Sequence, residues 1–167
     1  VHDLEGMADA ISDHTRVIFI ANPNNPTGTM VEQDEIDGFM KRVPDDVIVI
    51  FDEAYYEFLD NPPDTLKYVR EGRNVVVMRT FSKIQGLAGL RIGYGLAPAS
   101  LTAVLQKTRQ PFNANSIAQA GALAALQDLE HQQRTKGVTD AGRAFFEQSF
   151  EGMSLDYVPS RANFVLV

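Results

Sequence analysis

The sequence contains no cysteine. That excludes disulfides, thiolate zinc sites and a cysteine nucleophile, and it is compatible with the cytosol. Positive charge is also in short supply: 15 Lys and Arg stand against 22 Asp and Glu, a formal net charge of -7. With that balance and no basic cluster, neither nucleic acid nor an anionic membrane is an expected partner. The apolar runs are far too short to span a bilayer, and no signal-peptide pattern opens the chain, so a cytoplasmic protein is expected. Internal repeats and low-complexity tracts are lacking too, and no metal site is expected. What remains is ordinary globular material: 167 residues, 44% hydrophobic and 22% charged, enough for a domain with a real core.

The most informative stretch runs from Val75 to Ala97. It opens on Val75, Val76, Val77 and Met78, a continuous apolar run of the kind that forms a strand buried on both faces of a parallel sheet. Arg79 ends the run, and Thr80, Phe81, Ser82 and Lys83 follow. A Gly-rich segment, Gly86-Leu87-Ala88-Gly89-Leu90, then leads to Arg91 and a strand over Arg91 to Ala97. Open α/β sheets bind ligands outside the carboxyl ends of their strands, so a lysine, two hydroxyls and an arginine are placed to converge there on one anion. A lysine drawn out of water has its ammonium form disfavoured, and the neutral amine is the nucleophile that forms a Schiff base with an aldehyde cofactor. Taken alone, Lys83 reads first as a solvated surface charge, and Arg91 has the alternative of a salt bridge on a strand edge.

Two further strand-to-loop transitions lie upstream. Val17-Ile18-Phe19-Ile20 reads as a short buried strand after a helix over residues 3 to 12. It runs into Asn22-Pro23-Asn24-Asn25-Pro26-Thr27-Gly28, where two prolines and a glycine forbid regular structure. A helix is expected from Thr29 to Val43, with Ile36, Phe39 and Met40 inward and Pro44 as its stop. Val47 to Phe51 is a second buried strand, which delivers Asp52, Glu53, Ala54, Tyr55 and Tyr56. An Asp there can be a turn former and a Tyr can be packing. Glu53, Tyr56 and Glu57 receive no role. After a turn at Asn61 to Asp64, a short helix from Thr65 to Glu71 ends at Gly72. Strands alternating with helices imply βαβ units, an α/β class and a mainly parallel sheet.

Downstream, Pro98 opens a helix to about Arg109. Asn115 or Ser116 caps an Ala-rich helix to about Glu130, and Asp140 to Phe150 is amphipathic with Ala144, Phe145 and Phe150 inward. Two strands are expected over Ser154 to Tyr157 and Ala162 to Val167. His2 and His14 are assigned to the surface and His131 to solvent.

Ser82-Lys83, with Arg91 eight residues on across Gly86 and Gly89, resembles the lysine segment of the fold-type I pyridoxal-phosphate aminotransferases. NPNNPTG resembles that family's cofactor loop, and FDEAYYEF its aspartate-tyrosine segment. RQPFNANSIAQAGALAAL and SRANFVLV resemble the histidinol-phosphate aminotransferase branch. The resemblance implies a three-layer αβα fold: 1–129 forms part of the large cofactor-binding domain and 130–167 the start of a small α+β C-terminal domain. It also implies residue roles. Lys83 holds pyridoxal 5'-phosphate; Asp52 supports the ring nitrogen; Asn25 and Tyr55 bond the phenolic oxygen; Thr80, Ser82 and Arg91 hold the phosphate. The Asn25-Pro26 peptide is expected to be cis, as it often is in the family.

The implied reaction is amino transfer from histidinol phosphate to 2-oxoglutarate, giving imidazole-acetol phosphate and glutamate, in a homodimer that meets only small-molecule donors and 2-oxo acids. An aromatic or broad-specificity aminotransferase, or a threonine-phosphate decarboxylase, has similar lysine segments and stays open. From another class, a non-catalytic cofactor-binding or interaction fragment is the rival; the joint presence of Lys83, Asp52, Tyr55 and Asn25 argues against it. Family members are longer at both ends, so the chain reads as an internal portion of such an enzyme. It would lack the further phosphate donors, the ring-stacking aromatic, the tyrosine lent by the other subunit and the substrate-anchoring arginine, and little turnover is expected of it alone.

Overall fold

A computed structural model describes residues 1–167. Four strands form one sheet in the order β1 (Val17–Ala21), β2 (Ile48–Asp52), β3 (Val75–Thr80), β4 (Gly93–Leu96). The first three are parallel and β4 runs antiparallel to β3. The α/β class and the mainly parallel sheet are thus as the sequence implies.

α1 (Leu4–Asp9), α2 (Gln33–Arg42) and α3 (Leu66–Arg70) lie before and between the parallel strands. Register puts Ile20, Phe51 and Val77 side by side, with Val49 and Val75 on the same face. These five residues share one core with Leu4, Ala8, Ile36, Phe39, Met40 and Tyr68 from the three helices. β1 is not the buried strand expected. It lies at the sheet edge, where Val17 and Phe19 point to the other face and Phe19 is 64% exposed. Met78 pairs with Asp52 and Thr80 with Gly93, so this second face carries Asp52 and Thr80 at the carboxyl edge of the sheet.

Helix boundaries differ from expectation where side chains commandeer the backbone. α2 starts at Gln33 rather than Thr29, because buried Asn22 bonds Val31 twice, accepting from its N–H at 2.9 Å and donating to its carbonyl at 3.0 Å. That keeps residues 29–31 out of the helix. The Glu35 carboxylate then accepts from the Glu32 N–H at 2.8 Å, half of a capping box. α3 ends as predicted at Gly72, φ +77°, with Gly72 and Arg73 N–H donating to Val69 and Tyr68 carbonyls.

α4 (Ala99–Thr108) and α5 (Ser116–Gln127) follow β4, and the Asn115 side chain caps α5 by accepting from Ala118 N–H. The Ala-rich helix stops three residues short of Glu130. Asp128 accepts from the His131 N–H at 3.0 Å and so begins a new helix, α6 (Leu129–Gly152), longer than the segment expected from Asp140. Ala144 and Phe145 are exposed rather than inward. The two C-terminal strands reduce to a single bridge, Val158 with Leu166. Pro159 lacks an N–H, and the Arg161 N–H donates to the Gly28 carbonyl at 2.7 Å instead of to a ladder.

Candidate active site

Three loops leave the carboxyl edge of the sheet beside one another. After β1, residues 22–28 form a hook in which Asn22-Pro23 and Asn25-Pro26 are both cis. Gly28 sits at φ +69°, and a Cβ there would lie 2.1 Å from Ser160 Oγ, so only glycine lets residues 160–162 close over the hook. Asn25 at its tip is exposed and donates its amide to the Tyr55 hydroxyl at 2.9 Å. After β2, Asp52 accepts from the Ala54 N–H at 3.1 Å and Tyr55 is buried with Phe58, Ile84 and Ala162. Phe164 meets the Tyr55 ring edge-on at 5.3 Å.

The loop after β3 carries the remaining groups. The Ser82 N–H donates to Thr80 Oγ1 at 3.0 Å, a local turn that brings the two hydroxyl residues together. The Lys83 amine lies 4.9 Å from the centroid of the Tyr55 ring. Arg91 does not begin β4 as expected. It ends a short 3-10 turn in the left-handed region, φ +53°, and donates to the Ala88 carbonyl at 2.8 Å. β4 starts two residues later at Gly93, whose Cβ position is 2.8 Å from the Arg79 carbonyl and leaves no room for a side chain.

Asp52, Thr80, Ser82, Lys83 and Arg91 line one open cleft of about 500 Å³. Asn25 and Tyr55 do not line it, and they join the group through the contact of Tyr55 with Lys83. Neither Lys83 nor Arg91 is in an ion pair. Two cations without carboxylate partners, two hydroxyls and one separate carboxylate form a donor set that fits a ligand with an anionic end and a basic ring atom. A groove of about 330 Å³ between α6 and residues 163–165 has a single charged residue, Arg143, which already pairs with Asp140 at 2.9 Å.

Beneath the cleft lies a network that sequence reasoning missed. Glu53, 3% exposed, accepts from Arg79 Nε at 2.9 Å and Nη2 at 2.8 Å, and from the Thr65 hydroxyl. Burial pushes the Glu53 carboxyl up, against the pull of Thr65 and Arg79. The Arg79 guanidinium also stacks 3.5 Å over the Tyr56 ring. The parallel register, which sets Asp52 beside Met78, explains the pairing of the residues one step further on. Glu57 is pushed up by burial as well, and it accepts from Gln85 Nε2 at 3.3 Å. The remaining oxygens of both side chains are buried without partners, so a proton on Glu57 would give this pair a second donor.

His131 is not solvated as expected. Its Nε2 lies 3.2 Å from the Ile84 carbonyl, directly after Lys83. His2 is likewise half-buried, with Nε2 3.0 Å from the Ala21 carbonyl at the end of β1.

A family model described as aminotransferase class I and II matches residues 1–167. The chain is 60% identical over 166 residues to a histidinol-phosphate aminotransferase of Akkermansia muciniphila, an alignment covering 99% of this chain and 46% of that protein. It superposes on the histidinol-phosphate aminotransferase of Sinorhizobium meliloti in complex with pyridoxal-5'-phosphate with a TM-score of 0.90 at 32% identity, over 98% of this chain and 45% of that one. An aspartate aminotransferase of Thermus thermophilus with maleate, 22% identical, shares the fold with a TM-score of 0.83 over 99% and 45% of the two chains. The chain therefore spans about half the length of the curated relatives it matches.

Proposed function

The chain belongs to the class I and II aminotransferases, and from that premise we propose that the whole protein uses pyridoxal 5'-phosphate to move the amino group of histidinol phosphate to 2-oxoglutarate. The products are imidazole-acetol phosphate and glutamate. One observation carries the reading: the Lys83 amine, free of any ion pair, shares a cleft with Asp52, Thr80, Ser82 and Arg91. The kinship with histidinol-phosphate aminotransferases supports the choice of substrate.

When bound, the cofactor supplies an aldehyde carbon for amines and a conjugated ring that takes up electrons from the substrate's α-carbon. Thr80, Ser82 and Arg91 would hold its phosphate, the guanidinium giving a planar pair of donors that a lysine lacks. Asp52 would keep the ring nitrogen protonated, its own charge steadied by the Ala54 N–H. The joined Asn25 amide and Tyr55 hydroxyl would serve the phenolic oxygen. Lys83 Nζ would take the proton from the donor's α-carbon and hand it to the carbon that was the cofactor's aldehyde, a role that needs a neutral amine. Work in the cytoplasm as a homodimer, and a boundary near Asp128 between a large domain over 1–129 and a small one over 130–167, complete the proposal. No helix of the chain is long and apolar enough to cross a membrane.

A half-reaction screen of the whole protein, following the cofactor's visible band, tests this. Histidinol phosphate should bleach the band faster than phenylalanine or threonine phosphate does, and Lys83→Ala should abolish the wild-type band. Preference for another donor would displace the substrate, and an unchanged spectrum in Lys83→Ala would refute the lysine.

A further inference from the structure

We propose that His131 is a positioning residue for Lys83, its imidazole N–H fixing the backbone turn from which the lysine side chain projects. The inference rests on the reading of Lys83 as the cofactor lysine. A carbonyl only accepts, so the 3.2 Å contact with Ile84 O requires the proton on Nε2. The Thr135 hydroxyl, one helical turn further on, lies 3.4 Å from the same nitrogen. Ile84 is 1% exposed, so its carbonyl needs a partner from within the protein, and the imidazole is the side chain that supplies one.

The turn after Lys83 closes largely on itself. Gly86 N–H donates to the Lys83 carbonyl and Leu87 N–H to the Phe81 carbonyl, each at 2.9 Å. Side-chain hydrogen bonds tie residues 84 and 85 to the rest of the fold from two sides: His131 on α6 bonds Ile84, and Glu57 bonds Gln85. The α6 end of this brace is itself held. Asp128 caps the helix through the His131 N–H at 3.0 Å, and Lys136 pairs with Asp60 at 2.9 Å. A lysine amine sits at the end of four rotatable bonds, so its placement depends on a fixed Cα. A displacement of about 1 Å at a reacting group can cost roughly 100-fold in rate.

The test compares two isosteres in the holoenzyme loaded with pyridoxal 5'-phosphate. His131→Gln puts an amide nitrogen where Nε2 stood, and His131→Asn puts one where Nδ1 stood. For His131→Asn the expected result is a fall in kcat of roughly 10- to 100-fold. Its KM for the amino donor should stay within about twofold, and the pH midpoint of the cofactor's visible band should move. His131→Gln should recover most of the rate and the wild-type midpoint. Wild-type kcat in His131→Asn overturns the inference, and so does equal behaviour of the two variants, a shared loss of folding in thermal unfolding included. Lys83→Ala separates the layers of argument. If it keeps the wild-type band, the lysine reading fails and this inference with it; if it loses the band while His131→Asn behaves as wild type, only the role of His131 falls.

Discussion

Arg79 and Glu53 form the most deeply buried ion pair of the chain, with side chains 13% and 3% exposed. Removing one partner leaves the other charge in the interior without compensation, which costs about 3–5 kcal/mol, whereas replacing both by apolar groups of similar volume is often close to neutral. Arg79→Met should therefore lower stability by about that amount in urea unfolding, and adding Glu53→Met should restore much of it. A single variant within about 0.5 kcal/mol of wild type would show that solvent reaches the pair. Composition at these positions did not announce the pairing. Arg79 looked like the polar stop of an apolar run, and only the strand register puts it beside Glu53.

Between elements, Asp37 ties α2 to α3. It accepts from Gln33 at 2.7 Å on its own helix, and from Lys67 at 2.6 Å and the Tyr68 hydroxyl on the other. The Lys67 hydrogen bond, helped by Tyr68, holds its carboxyl at about 2, below the ordinary 3.8. A carboxyl lowered on folding adds stability above its unfolded pKa and loses it as pH falls from about 3.8 through about 2. Both side chains are about one third exposed, so solvent screening reduces the contribution to about 1 kcal/mol. Asp37→Asn should cost that much at pH 7 and progressively less in acid, converging with wild type only below about pH 2 in denaturant titrations. A pH-independent difference would mean that packing, not charge, ties the helices. The elements themselves were largely legible: β2 and β3 from apolar runs, α2 from Ile36, Phe39 and Met40, and the end of α3 from Gly72. Their edges were less so, because Asn22 and Asp128 act on backbone groups that no periodicity reveals.

At the scale of the molecule, apolar surface remains uncovered. Phe19 on the sheet, Phe112 before α5 and Ile117, Leu123 and Leu126 along it are all more than half exposed. Single exposed apolar residues are unremarkable, but four large ones within residues 112–126 concentrate apolar surface in one stretch of chain. The 167 residues expressed alone should bind a hydrophobic dye such as ANS, self-associate as concentration rises and show little transamination. A dye-free monomer in sedimentation, or brisk turnover, would count against this.

By itself, the sequence determined which chemistry is on offer and on which loops. The amine, the carboxylate, the hydroxyls and the guanidinium each follow a strand or a glycine-marked turn, and strand and turn signals are local. Only tertiary structure decided what holds those loops in place. Glu53 with Arg79, Glu57 with Gln85 and His131 with Ile84 are pairings between residues 26, 28 and 47 positions apart. Such partners are chosen by register and packing, and no local pattern encodes them.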